Sequence, residues 1–476
     1  MMLGPTSPLS PLLLAAALLT VWEMAGRSLP RPFGRLPPVS RGAVACGAAA
    51  LVAAFWAQLA LLAYQTRHDG AHPAWVEHTP LLLFHPLWPL GSTHWLYSLG
   101  ALLLVCVQTA GLATLVAALA RMPPEGDSAP AHLAWRLTPF VAAALAALAL
   151  WSPAVSSDDV FGYVGLGLLG AHPFDRPAHF FSGEYAAVFD AWPLRPTIYG
   201  PLWTAYNAAL VSLGGSFTAK VMVLRATGAV LLGVLTLLTA RIGRSRALTA
   251  AVVLNPMLWF QYVSNAHNDL LAICLLVGAV ALVERSRPMV AMLLVAAAGL
   301  IKIPFVILGT VAFARQGARR AALFAAGAIV TCLALSALLA GRPYYDALRI
   351  SGGLDGASQP PLFTAAKLAI ALGTLGVTAF VVLRDRFPAF GGLLSPAIAP
   401  NFYPWYLVWA VPYALATRAT ALPTLLAFPL LATLADGTYG FHAFTYLVPL
   451  AALCWIAWAI VSPENPAAKT RARVTP

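Results

Sequence analysis

Charge is what this chain lacks. Only 10% of its 476 residues are Asp, Glu, Lys or Arg, while 60% are hydrophobic; a soluble domain carries about a quarter charged residues. That shortage excludes a large water-soluble domain. Runs of about 20 apolar residues, enough to cross a hydrocarbon core about 30 Å thick, recur along nearly the whole length. Cysteine is scarce as well. Cys46, Cys106, Cys274, Cys332 and Cys454 all fall in apolar runs with no C-x-x-C spacing, so they read as small packed hydrophobes and not as disulfides or metal ligands. Acidic residues number 17 against 29 basic ones, for a net charge of +12. The excess is dispersed as single arginines between apolar runs, which membrane topology explains better than a polyanion does, so no nucleic-acid partner is expected. No basic segment precedes the apolar run at 12–21 and no small-residue cleavage site follows it, so a retained first span is expected there. No internal repeat is evident.

The fold class expected is all-α, a single multi-pass integral membrane domain over 1–476. Apolar runs predict about 13–15 transmembrane or half-length helices. They lie near 8–22, 42–64, 95–120, 133–151, 218–240, 247–263, 268–283, 288–300, 304–314, 321–340, 362–383, 389–400, 404–416, 421–435 and 442–461. Two pairs, 288–300/304–314 and 389–400/404–416, read as broken helices meeting at Pro304 and Pro404. Such breaks are tolerated where the backbone is buried in protein or lines a cavity. The segment 200–213 is too short to span and reads as a juxtamembrane helix within an outer loop, 152–217. With that loop outside, most of the Lys and Arg residues fall in inner loops, among them Arg121, Arg136, Arg241, Arg244, Arg246, Arg285, Arg287, Arg315, Arg319 and Arg320. The positive-inside rule therefore places the loop on the extracytoplasmic side.

Against this background the exceptions are informative. Asp158 and Asp159 follow directly on the apolar run at 133–151, and an Asp at a helix centre costs about 2.5–3.5 kcal/mol on insertion. Two adjacent carboxylates there read as an active site where membrane meets water; capping of the following helix is the plain alternative. Arg225, near the outer end of a span, and Lys302, at the outer apex of a broken hairpin, are candidate phosphate ligands, with Arg195 and Lys220 behind them. Snorkelling to the interface is the alternative for each. The outer loop at 65–94 holds His68 and His72 at i,i+4 spacing, but its prolines argue against a helical metal site. No metal and no cofactor is expected.

Four motifs share the outer side: Ser157-Asp158-Asp159-Val160-Phe161-Gly162-Tyr163, Tyr199-Gly200-Pro201-Leu202-Trp203, Asn265-Ala266-His267-Asn268-Asp269 and Asn401-Phe402-Tyr403-Pro404-Trp405-Tyr406. Each joins hydrogen-bonding groups to aromatic faces, a mixture that suits a sugar. A lipid-linked sugar would further need a cation for its phosphate and a carboxylate to deprotonate the attacking hydroxyl. Capping of a helix at Leu270 by His267, Asn268 and Asp269, and an interfacial girdle at 401–406, remain the plain alternatives. Asp159 and Tyr163 are four apart, hence on one face if the segment is helical.

These motifs, in this order, resemble the GT-C superfamily of polyprenol-phosphate-sugar-dependent glycosyltransferases. In particular they are similar to the bacterial polyprenol-phosphate-mannose-dependent α-1,6-mannosyltransferases. The likeness covers most of 133–416. In that family an Asp-Val-Tyr-Ser-Tyr motif carries the proposed catalytic aspartate; Asp159 aligns with it, with Phe161-Gly162 standing where the family has Tyr-Ser. The resemblance implies a GT-C-type bundle, a polyprenyl-phosphate-linked sugar donor, most naturally mannose, and a glycan or glycolipid acceptor. It further implies inverting transfer with Asp159 as general base, and a sugar or acceptor pocket shaped by Tyr163, Tyr199, His267, Asp269, Tyr403 and Trp405. A transporter or flippase of lipid-linked sugars, which also needs intramembrane charge and broken helices, and a non-catalytic envelope-assembly subunit are the rival readings.

Overall fold

Backbone N–H and C=O groups inside a membrane must be satisfied within their own segment, and the computed structural model answers that demand with helices. It describes residues 39–68, 94–120, 128–152, 157, 159–170, 174, 197–351, 408–409, 411–412, 415 and 421–435, and no strand occurs among them. The expected spans at 8–22, 362–383, 389–400 and 442–461, with most of 404–416, lie outside the described residues, as does His72.

In chain order the helices are α1 (Arg41–His68), α2 (His94–Ala120), α3 (Ala129–Trp151), α4 (Asp159–Leu168), α5 (Pro201–Ser212), α6 (Phe217–Gly243) and α7 (Arg246–Val253). They continue with α8 (Pro256–Trp259), α9 (Asp269–Glu284), α10 (Pro288–Gly299), α11 (Pro304–Gly309), α12 (Ala318–Leu339), α13 (Gly341–Ser351) and α14 (Ala421–Ala435). Side-chain caps set several starts. Ser128, Ser216 and Ser245 accept the N–H of Ala131, Ala219 and Leu248, two or three residues into α3, α6 and α7, and so satisfy donors that a helix start leaves open.

Among the described residues, α1, α2, α3, α6 and α12 are long and apolar enough to cross a membrane. The run expected to span at 247–263 is broken: α7 and the stretch Pro256–Ser264 are apolar enough together for one span but are bent by 42°. Pro256 lacks the N–H that would continue α7, while the Asn255 side chain accepts from Met257 N and Leu258 N and donates to Leu425 O of α14 at 2.8 Å. The expected break at Pro304 is present between α10 and α11. α13 adds a helix where none was expected.

Helices α1 and α2 pack together with α3 against both, and α9 pairs with α10 as α10 does with α12. A polar clamp joins the first pair: Gln108 Nε2 donates to Gln58 Oε1 at 2.8 Å and to Ala54 O at 3.1 Å. Because consecutive long helices reverse direction, the ends of α3 and α10 and the starts of α4, α5, α6 and α9 fall at one end of the bundle. Arg241, Arg244, Arg246, Arg285 and Arg287 fall at the other.

Candidate active site

Helix α4 is only ten residues long, half of what a span needs. Its first residue, Asp159, has its N–H held by Ser157 Oγ at 3.2 Å. One turn on, Tyr163 donates its hydroxyl to Asp159 Oδ2 at 3.3 Å, so the i,i+4 pairing expected from spacing is present. His267 Nδ1 meets the same oxygen at 3.0 Å. Both partners use Oδ2. Oδ1 takes no hydrogen bond from any described residue, and the Asp159 side chain keeps 20% of its surface exposed while that of His267 keeps none. Burial works against ionisation of Asp159, but the hydrogen bond and charge of His267, the charge of Lys302 and the Tyr163 hydroxyl outweigh it, holding its pKa below the ordinary 3.8. Burial and then the Asp159 charge push the Tyr163 phenol well above its ordinary value. Tyr163 therefore stays a donor.

The chain reaches His267 by an unusual path. α8 runs into a single wide turn, Phe260–Ser264, whose i→i−5 closure is Asn265 N donating to Phe260 O at 3.0 Å. Such turns recur at functional sites. Gly228 of α6 makes room for it, since a Cβ there would lie 2.0 Å from Tyr262 O. Next, Ala266 takes a left-handed conformation, φ +52°, which costs a residue with a side chain about 1–2 kcal/mol. The strained residue turns the chain so that His267 meets Asp159.

A second acid–base pair lies beside the first. Lys302, just past α10, donates to Asp269 Oδ1 at 3.2 Å, and Trp409 Nε1 donates to the same oxygen at 3.0 Å. The Lys302 ammonium sits between two rings, 5.7 Å from the centroid of Tyr199 and 5.5 Å from that of Trp409, an arrangement that favours a cation. Tyr199 links the pairs, its hydroxyl 3.4 Å from that of Tyr163. Trp203 packs edge-on to Tyr163, 5.2 Å between centroids. The backbone fixes this junction. Gly200 N donates to Ile301 O at 2.8 Å and Leu202 N to Leu300 O at 3.1 Å; a Cβ on Gly200 would stand 2.1 Å from Leu300 O. Only glycine allows that approach.

Asp159, Tyr163, Tyr199, His267, Asp269 and Lys302, from four stretches of sequence, are thus brought together. The helix-capping alternative for His267 and Asn268 does not describe what is seen. α9 starts at Asp269, and the Asn268 side chain makes no cap hydrogen bond. Lys220 and Arg225, expected as phosphate ligands, each meet backbone carbonyls at a helix end. Lys220 donates to Val211 O and Gly214 O at the end of α5, and Arg225 to Leu150 O and Ser152 O at the end of α3. Each closes carbonyls that a helix C-terminus leaves unsatisfied. Asp158, Arg195, Tyr403 and Trp405 lie outside the described residues. Two residues were missed. Trp409 stands four after Trp405, a helical spacing that could have found it. Asn207 holds Tyr163 O at 2.7 Å from within α5, and nothing in the sequence marks it.

Residues 85–317 match a family model described as alpha-(1->6)-mannopyranosyltransferase, N-terminal domain. This is the family that the motifs resemble. The matched stretch contains α2 to α11 and every described residue of the cluster except Trp409. The match supports a mannosyltransferase, and the long apolar helices support a membrane protein. No curated protein and no solved structure matches the chain.

Proposed function

We propose that the protein transfers mannose from a polyprenyl-phosphate donor to a hydroxyl of a glycan or glycolipid acceptor, at the extracytoplasmic face of a bacterial plasma membrane. The observation that carries the reading is the Asp159 carboxylate, pinned by one oxygen to His267 and Tyr163, with a fifth of its side chain exposed and its charge favoured by a buried lysine. In this mechanism Asp159 Oδ1 accepts the proton of the acceptor hydroxyl as its oxygen bonds to the anomeric carbon. The bond from that carbon to the phosphate oxygen breaks, and polyprenyl phosphate leaves with the electron pair. A single displacement inverts the anomeric centre. His267 and Tyr163 are positioning residues: they fix Oδ2 and hold the carboxylate ionised. Lys302 brings its positive charge to the phosphate, whose negative charge grows as the bond breaks. Among the described candidate cations, Lys302 is tied to the Asp159 cluster through Tyr199. Phosphate needs charge stabilisation to leave but no obligatory metal.

The distribution of charge supports the side proposed. The Asp159 cluster lies at the bundle end opposite Arg241, Arg244, Arg285 and Arg287, and positive residues stay in the cytoplasm. A cysteine at position 183 should react with an impermeant thiol reagent in intact cells, and one at 244 should be protected; the reverse pattern overturns the side. The activity itself is tested with purified protein and labelled polyprenyl-phosphate mannose. Release of polyprenyl phosphate that requires an acceptor is expected, and none from any polyprenyl-phosphate sugar overturns the reading.

A further inference from the structure

Beside the Asp159–His267 pair, two side chains keep hydrogen-bonding capacity that this mechanism does not use. Asn268 is 2% exposed, and neither its amide nitrogen nor its amide oxygen has a hydrogen-bond partner among the described residues. Asp269 is 1% exposed; Lys302 and Trp409 both meet its Oδ1, and its Oδ2 has no partner among them. Buried polar atoms of this kind are uncommon, because each has given up water for nothing. Local structure does not account for them. Asn268 stands at the start of α9, where an Asn side chain ordinarily accepts from the helix backbone, yet it makes no such bond. Two acceptors and one two-proton donor therefore lie on consecutive residues directly after His267. His267, the residue before them, meets Asp159 Oδ2 at 3.0 Å, and Asp269 holds Lys302, so this group adjoins the side chains that surround the proton acceptor.

The chemistry of these atoms selects the ligand. A phosphate brings acceptors and negative charge; it could use the Asn268 N–H bonds but would be repelled by Asp269. A hydroxyl both donates and accepts. Two neighbouring hydroxyls on a ring can accept from Asn268 Nδ2 while donating to Asn268 Oδ1 and Asp269 Oδ2, which satisfies every open atom. We propose that Asn268, with Asp269 Oδ2, reads a vicinal hydroxyl pair of the transferred sugar and so determines which sugar is transferred. This inference rests on the mannosyl-transfer reading above. Burial gives it force: a site built to hydrogen-bond a hydroxyl can reject an analogue lacking it by about 10⁴–10⁵-fold.

The test compares polyprenyl-phosphate mannose with its monodeoxy analogues, using purified wild type, Asn268→Leu and the near-isosteric Asn268→Asp. Wild type is expected to prefer the mannosyl donor over at least one analogue by about 10²-fold or more, and both variants to narrow that preference below about tenfold. Without donor, the Tm of Asn268→Leu should not fall, since removing an amide that has no partner leaves no other group unpaired. Unchanged preference, or an equal loss for all donors together with a lowered Tm, overturns the inference and makes Asn268 a packing residue. Donor-induced rise in Tm, read on the same samples without turnover, separates the two readings. If wild type transfers nothing, the function fails. The inference still stands if mannosyl donor stabilises wild type more than the deoxy analogue does and this difference vanishes in both variants, and it falls if the difference is absent or persists.

Discussion

The two acid–base pairs of the cluster are built from the same kinds of group and differ in what surrounds them. Asp159 shares one oxygen with His267 and Tyr163 and keeps a fifth of its side chain exposed, whereas Asp269 and Lys302 are 1% and 9% exposed. A carboxylate that must take a proton from an incoming hydroxyl needs an accessible oxygen and a pKa below working pH. A carboxylate that must hold a cation in place needs neither. On the proposed mechanism, position in the bundle assigns the roles: the pair at the start of the short α4 would serve chemistry, and the pair between α9 and α10 binding.

The largest effects should separate the pairs. Asp159→Asn is expected to lose about 10²–10⁴-fold in transfer with little change in stability, while Asp158→Asn should lose less than about tenfold, judged against the same range. Asp269→Ala should behave differently. It leaves the Lys302 ammonium buried and uncompensated, a loss of about 3–5 kcal/mol, seen as a lowered Tm in detergent. Similar stability losses in both aspartate variants would erase the distinction. Next in size is Gly200→Ala. Its Cβ would drive residue 200 and Leu202 away from the Leu300–Ile301 carbonyls that accept from them, and so displace the adjoining Tyr199; activity should fall and the apparent KM for donor should rise. Normal kinetics would show that the docking does not position Lys302.

A smaller and more specific effect is expected from His267→Gln. It removes the charge, and part of the hydrogen bonding, that hold the Asp159 pKa down, leaving burial less opposed. The Asp159 pKa then rises, and because activity needs the ionised form, the acid limb of the kcat profile should move to higher pH. The sign in stability agrees: a carboxylate depressed on folding stabilises the fold above its unfolded pKa of about 3.9, and that contribution is lost as pH falls through the folded value. An unmoved acid limb would remove His267 from the Asp159 pair. Smallest of all, Ala266→Gly should raise or leave unchanged the Tm, since glycine takes φ +52° without strain.

Much of this bundle could be read from hydropathy alone. The runs at 133–151, 218–240, 268–283 and 288–300 became α3, α6, α9 and α10 with ends shifted by a few residues. The break at Pro304 was legible because proline removes a helix donor whatever its surroundings. The same logic was available at Pro256 and was overridden by an apolar run long enough for one span. The amphipathic α13 was hidden because a short polar helix leaves no hydropathy signal. Within the site, Asp159 and Tyr163 were legible from spacing, as were the motifs carrying Tyr199, His267 and Asp269. The cations were harder. Lys220, Arg225 and Lys302 look alike in sequence, each a charge in an apolar setting, and only the fold distinguishes the two that close helix carbonyls from the one held between aromatic rings.

The direct test of Asp159 as general base is rescue by azide, a nucleophile that needs no proton removed. Polyprenyl phosphate release from polyprenyl-phosphate mannose would be followed in Asp159→Ala and Asp269→Ala, with and without azide. Azide should restore release in Asp159→Ala, yielding mannosyl azide of inverted anomeric configuration, and leave Asp269→Ala unimproved. No rescue of Asp159→Ala in a folded, donor-binding protein, or equal rescue of both variants, would contradict the assignment.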